Sequence, residues 1–455
     1  MDRSNATRST NQFYATAVAE LVSFAKAQIP FSRVRFKPDQ KVLRDSECWY
    51  RTVLQNGNGA PKNRWCHAVC TVGNTIYVYG GNNRHGTLMD LWTLNISSED
   101  YSMEWTHIKL ESNFAPSRLR NHSLVYSQDG YIYVLGGSFS NTDPFIYKFD
   151  VYLCSWIRMG TNTAPETRQS HSTVVHSNNL WIFGGFSEIF GFYNELWSFD
   201  LLQNIWKEYR PVKKRTPWPL MRHNHLATVY DNKMWIFGGE SGGSKSWLTD
   251  LWCFSFEKER WNRKTVSGLP NNLLSSGYCG CSIKEAFVLA IHGTNQVIVV
   301  NIYSLSATSL QYDSNWGPVC KPGSTLSSCA FPINQERLDD SLQFKKSISM
   351  SNIIETIRLP GACNSIRHSN PLLKQENCNC VTDMIQSSYN RAFSYSDDAL
   401  NASTHFLYLL VLIGGKDSDP ISQDKCVVSS VWLPSRVLNS HTVSPIKPGF
   451  RDTFC

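Results

Sequence analysis

Hydrophobic positions in this chain fall in short apolar runs, alternating or continuous, closed by glycine, asparagine, aspartate or proline. That pattern predicts β-strands joined by turns. Five runs end in a glycine pair: TIYVYGG at Gly80-Gly81, YIYVLGG at Gly136-Gly137, LWIFGG at Gly184-Gly185, MWIFGG at Gly238-Gly239 and LYLLVLIGG at Gly414-Gly415. The first four pairs stand 56, 48 and 54 residues apart, so the strands belong to a repeating unit.

Other positions keep step with the glycines. An arginine lies sixteen residues before each of the first four pairs, at Arg64, Arg120, Arg168 and Arg222. An aromatic segment follows each pair, at Trp92, Tyr147, Trp197 and Trp252, and then a second tryptophan, at Trp105, Trp156, Trp206 and Trp261. Each unit therefore holds four short strands. One such twisted sheet cannot bury both faces alone, whereas sheets stacked radially around a channel bury each other.

The series Arg-x-x-His, apolar strand, Gly-Gly, acid-Leu-Trp and second Trp resembles the kelch repeat, which implies an all-β kelch β-propeller. A degenerate fifth unit is expected at EAFVLAIHG and QVIVVNIYSL, and a sixth around Gly414, Gly415 and Trp432. Trp49 stands fifteen residues before Arg64, as Trp105 does before Arg120, which assigns it to an outer strand. The expectation is six blades, closed by an N-terminal strand pairing with the C-terminal strands, with no open edge.

A serine-, asparagine- and cysteine-rich stretch before the last glycine pair reads as a long disordered insertion, with a short helix near Ile353. The expected organisation is an N-terminal segment over 1–47 with one helix, the closing strand and five blades over 48–316, the low-complexity insertion over 317–404, the last blade over 405–435 and a tail over 436–455. This layout resembles the kelch part of the F-box only protein 42 family. The resemblance implies a propeller that holds substrates for a cullin-type ubiquitin ligase. The stretch FYATAVAELVSFAKAQIP before Trp49 offers a single helix in place of an F-box.

Composition narrows the function classes. A net charge of +7 over 455 residues is no nucleic-acid signature without a basic stripe, and the one short run, Lys213-Lys214-Arg215, reads as a solvated loop. No secretory signal stands at the start, and the apolar run Phe406 to Ile413 is far too short for a membrane helix. The chain is expected in the cytoplasm, with the nucleus open to it, its fourteen cysteines reduced and neither nucleic acid nor membrane as partner.

Candidate chemistry is sparse. Gly239-Glu240-Ser241-Gly242-Gly243 fits G-x-S-x-G but follows a blade strand and leads to another, so no nucleophile is expected. His67, His122, His171 and His225 recur in separate blades and read as structural hydrogen-bonding groups. Cys279-Gly280-Cys281 and Cys378-Asn379-Cys380 lack zinc-ribbon spacing, and Glu336 and Asp340 begin an acid series that Phe344 ends, so no metal or cofactor is expected. Arg64, Arg120, Arg168 and Arg222 are the candidate partner-binding residues, as a rim that captures carboxylates, against a structural role in which each ties blades together through carbonyls or Asp90, Glu195 and Asp250. The reading is a non-catalytic protein-binding propeller, with a ligase adaptor first and a cytoskeletal or signalling scaffold second.

Overall fold

A computed structural model describes residues 33–36, 50–52, 59–98, 101–109, 115–137, 145–160, 164–211, 216–242, 246–313, 320–332, 406–416 and 428–433. Residues 1–331 and 407–455 form one compact unit and 332–406 another. The sheets lie in the first, apart from the strand-end residues Pro332 and Phe406.

Five blades follow one another along the chain, each an antiparallel meander that runs from the inner strand outward. The first comprises Ala68–Val72, Thr75–Tyr79, Leu91–Ile96 and Met103–Ile108, with Arg33–Phe36 as a fifth strand on its outer edge. The second comprises Ser123–Tyr126, Tyr131–Leu135, Ile146–Asp150 and Ser155–Arg158, and the third Ser172–His176, Asn179–Phe183, Leu196–Asp200 and Ile205–Tyr209. Leu226–Tyr230, Lys233–Ser241, Trp247–Ser255 and Arg260–Lys264 form the fourth. The degenerate fifth is complete: Tyr278–Ile283, Ala286–Ile291, Gln296–Asn301 and Ser306–Gln311.

A sixth four-stranded sheet is composite. It runs Thr325–Pro332, Phe406–Ile413, Val428–Leu433 and finally Tyr50–Thr52, which pairs antiparallel with Val428 to Ser430. Chain from both ends of the sequence thus shares one sheet. Trp49 itself lies outside the described residues.

Two boundaries differ from the sequence expectation. Thr325–Pro332 falls inside the stretch 317–404 read as an insertion, yet it is the inner strand of the composite sheet, with Leu326 and Cys329 buried. Its sequence, TLSSCAFP, carries the small polar residues of a strand with one face toward the channel, so it shows no apolar run. Arg33–Phe36 places a strand where 1–47 was expected to supply only a helix. That helix, the one near Ile353 and Cys378-x-Cys380 fall outside the described residues, among which the one-turn helix Leu273–Ser276 stands alone.

The core sits between sheets, as strands too short to bury both faces require. Trp92 and Trp105 of the first blade pack with Leu409, Val411 and Ile413 of the composite sheet. Trp252 and Trp261 of the fourth pack with Val174 and Trp181 of the third. A buried tryptophan removes on the order of 150–250 Å² from water, which explains its recurrence at these seams. Trp197 is only half-buried, at the margin of the cluster between the second and third blades.

The glycine pairs stand where one sheet meets the next. Gly80 and Gly81 have φ of 60° and 90°, and a Cβ on Gly81 would lie 2.8 Å from the Trp65 carbonyl oxygen. Only a residue without a side chain fits this close approach in that conformation.

Candidate functional site: the mouth of the central channel

The inner strands of the five blades and the composite sheet line a cavity of about 1190 Å³. The inter-blade linkers carrying the repeat arginines lie at its glycine-pair end.

Three of the four arginines are withdrawn from this mouth. Arg64 and Arg222 are 0% exposed and Arg168 is 1% exposed. Arg64 forks onto Asp90 at 2.9 and 2.8 Å and donates to the Gly80 carbonyl. Arg222 does the same with Asp250 at 2.7 and 2.9 Å and with Gly238, and Arg168 bonds Glu195 at 2.8 Å and Gly184. The same acids accept from the indole N–H of Trp92, Trp197 and Trp252. Burial pushes the Asp90 and Asp250 carboxyls up, but the arginine hydrogen bond and charge, joined by the indole, outweigh it and hold both below the usual carboxylate range. Each arginine latches the turns of its own blade, while its backbone joins the preceding sheet: Gly415, Gly137 and Gly185 donate to the carbonyls of Arg64, Arg168 and Arg222. The expectation that these three read a partner's anions is therefore corrected.

Arg120 is different because the register shifts. Gly81 donates to the carbonyl of Leu119, which makes Leu119 the counterpart of the other arginines. Where the acid should stand is Phe145, whose carbonyl accepts from Gly136 as that of Asp90 does from Gly80. One extra residue in the turn between Tyr126 and Tyr131 accounts for the slip. Opposite Tyr126 stands Ile132, six residues on, while Thr71 faces Ile76, five on. Counting back from the glycines thus lands one place too far along, on Arg120. The sequence signal was available in His122, which also stands one place out of step.

Freed from a latch, Arg120 lines the channel mouth with its side chain one-third exposed and pairs at 3.1 Å with Glu188 on the Phe186–Phe192 ribbon of the third blade. Beside it, Asn121 donates to Gln169, and Phe192 stacks on His223 with centroids 5.2 Å apart.

A chain of backbone bonds rings this mouth. Cys66 N–H donates to Gly323, Asn121 to Cys66, Ser170 to Asn121 and Asn224 to Ser170, crossing four successive seams at 2.7–3.0 Å. All four donors have φ of 52–57°, an unusual conformation for residues with side chains, held here by the inter-blade bonds. Among the described residues the fifth blade adds no such link.

The repeat histidines are structural. Nε2 of His67, His171 and His225 meets the hydroxyl of Thr325, Ser123 and Ser172 in the preceding sheet, at 2.6, 3.0 and 2.7 Å. His122 faces the position of Ala68, which has no hydroxyl. Burial holds all four neutral, bringing His122 and His171 to about 3 and the other two well below their ordinary value. Ser241 ends a strand and the next element is another strand, so the helix of a nucleophile elbow is missing.

The sequence profile of the KLHDC2/KLHL20/DRC7 Kelch-repeats domain matches residues 39–163 and 129–330, together well over half of the chain. The chain belongs to this kelch-repeat family. Among relatives, Kelch domain-containing protein 3 of Bos taurus is 30% identical over 204 residues, 42% of this chain and 51% of that protein. Acyl-CoA-binding domain-containing protein 5 of Arabidopsis thaliana is 26% identical over 292 residues, covering 60% and 44%. Kelch repeat-containing protein 2 of Saccharomyces cerevisiae is 27% identical over 261 residues, covering 53% and 28%. The kelch chain thus spans about half, or less, of the relatives it matches.

Proposed function

We propose that this kelch propeller is a non-catalytic interaction module that holds a protein partner at the channel mouth, with the composite sheet acting as its sixth blade. The observation that carries the reading is the division of labour among the charged groups. The repeat ion pairs are used up inside the blades, while Arg120, Glu188, Phe192 and His223 converge at the open mouth. Loops carried on rigid sheets suit recognition, and a mixed aromatic and charged lining suits a peptide segment. Exposed Ile189 and Phe190, at the tip of the same ribbon as Glu188, add apolar surface beside it.

The finer reading, a substrate adaptor of a cullin-type ubiquitin ligase in the cytoplasm or nucleus, is supported by the F-box/kelch resemblance alone. A scaffold without a ligase is the alternative. Affinity purification of the full chain followed by mass spectrometry tests both levels. The interaction reading expects a protein that is captured by the native chain and lost with Arg120→Glu or Phe192→Ala while the melting temperature holds. The adaptor reading expects a cullin and its bridging subunit in the same capture; their absence beside a retained partner leaves the scaffold.

A further inference from the structure

At the seam between the fifth blade and the composite sheet, the repeat pattern is replaced by a different chemistry. Counted from the turn that closes each hairpin, His292 stands where the fourth blade has Gly239, since Ala286 and Lys233 hold equivalent register positions. The N–H of Gly293 donates to the carbonyl of Cys320, and the thiol of Cys320 lies 3.6 Å from that of Cys279. One donor atom from each of Cys279, His292 and Cys320 falls within 4.8 Å of the other two. The sequence pairs Cys279 with Cys281 in a spacing unfit for zinc; the fold instead brings Cys279 to a cysteine forty-one residues away and to a histidine just past the end of the neighbouring strand.

We propose that Cys279, His292 and Cys320 form a zinc site that adds a cross-link at this seam beside the backbone bond from Gly293 to Cys320. Zinc–sulfur and zinc–nitrogen bonds of about 2.3 and 2.0 Å place tetrahedral donors roughly 3.5–3.8 Å apart. The two sulfurs already meet that spacing, and a His292 nitrogen within 4.8 Å of both has about 1.3 Å or less to close. Nε2 of His292 is buried without a hydrogen-bond partner, a position natural proteins rarely tolerate without a ligand or water. The charge also balances: two thiolates and a neutral imidazole compensate a divalent cation in a partly buried setting, and the two thiol protons leave to solvent on binding. Thiolate and imidazole together suit zinc better than calcium or magnesium, which take oxygen donors. Cys279 and His292 line the channel, so the fourth coordination position opens to channel water. The role is structural: a cross-link between two sheets at the seam nearest the composite, non-consecutive part of the ring.

The test uses the full chain purified under reducing conditions and titrated with zinc alone against a chromophoric chelator. The native protein is expected to hold one more zinc equivalent than Cys279→Ser/Cys320→Ser and than His292→Ala, while Cys281→Ser keeps the native count. Cobalt substituted into the native protein should show a thiolate charge-transfer band and tetrahedral d–d bands, a readout that needs no variant to fold. Chelator should lower the native melting temperature and leave that of His292→Ala unmoved. Equal zinc counts in native and variant chains would overturn the site, as would a cobalt spectrum without thiolate bands, or a Cys279–Cys320 disulfide in the native protein under those conditions.

Discussion

The first and second blades solve the same packing problem with opposite chemistry. In the first, Arg64, Asp90 and Trp92 make a fully hydrogen-bonded charged latch. In the second, the equivalent places hold Leu119, Phe145 and Tyr147, all buried, with Phe145 edge-on to Trp206 of the next blade at 5.6 Å. The glycine pairs donate in the same way in both, Gly80 to Asp90 and Gly81 to Leu119, Gly136 to Phe145 and Gly137 to Arg168. A buried ion pair and an apolar pair are therefore interchangeable in this fold, in keeping with the near-cancellation of desolvation and attraction inside proteins. What neither blade would tolerate is half of a latch.

The largest effect should come from breaking one. Arg222→Leu strands Asp250 beneath its blade and is expected to lower stability by about 3–5 kcal/mol, read from urea denaturation midpoints. A surface arginine changed in the same way would cost almost nothing. A folded, undiminished variant would return Arg222 to the partner-binding role.

Acid should act on all four blades at once through the histidines. Below about pH 6.5 the unfolded chain takes up protons on these residues, while the native protein keeps His122 and His171 neutral down to about 3. The unfolded state then binds more protons, so stability is complete above that pH and falls as pH drops. The slope is at most about 1.4 kcal/mol per pH unit for each histidine. Melting temperatures between pH 7 and 5 should decline before the carboxylates titrate; a flat profile would mean that the rings accept protons in place.

A smaller change sharpens the contrast at His122. Ala68→Ser supplies the hydroxyl that the other three histidines already have, and should raise stability by about 0.5–1.5 kcal/mol. No gain in the denaturation midpoint would show that the hydroxyl bonds of the other seams contribute little.

Much of this is legible in the sequence alone. The apolar runs marked the second strands, the glycine pairs marked the seams, and Asp-Leu-Trp and Glu-Leu-Trp marked the third strands, because these positions are buried between sheets and tolerate few residue types. The spacing of Trp49 from Arg64 pointed to the pairing of Tyr50–Thr52 with the C-terminal strands. Thr325–Pro332 was illegible, since an inner strand facing the channel needs neither long apolar runs nor aromatic residues. Arg120 was misread because one residue inserted in a turn displaces every earlier position against a count made back from the glycines. Cys279, His292 and Cys320 come together through sheet register and a seam between sheets, neither of which is visible as spacing.

The interchangeability of the two latches is tested most directly by a double-mutant cycle on Arg64 and Asp90, with denaturation free energies for Arg64→Leu, Asp90→Phe and the pair. The account predicts that each single change lowers stability by several kcal/mol, on the scale of about 3–5 for an uncompensated buried charge, and that the double variant recovers most of that loss. Losses that simply add, within about 0.5 kcal/mol, would contradict it.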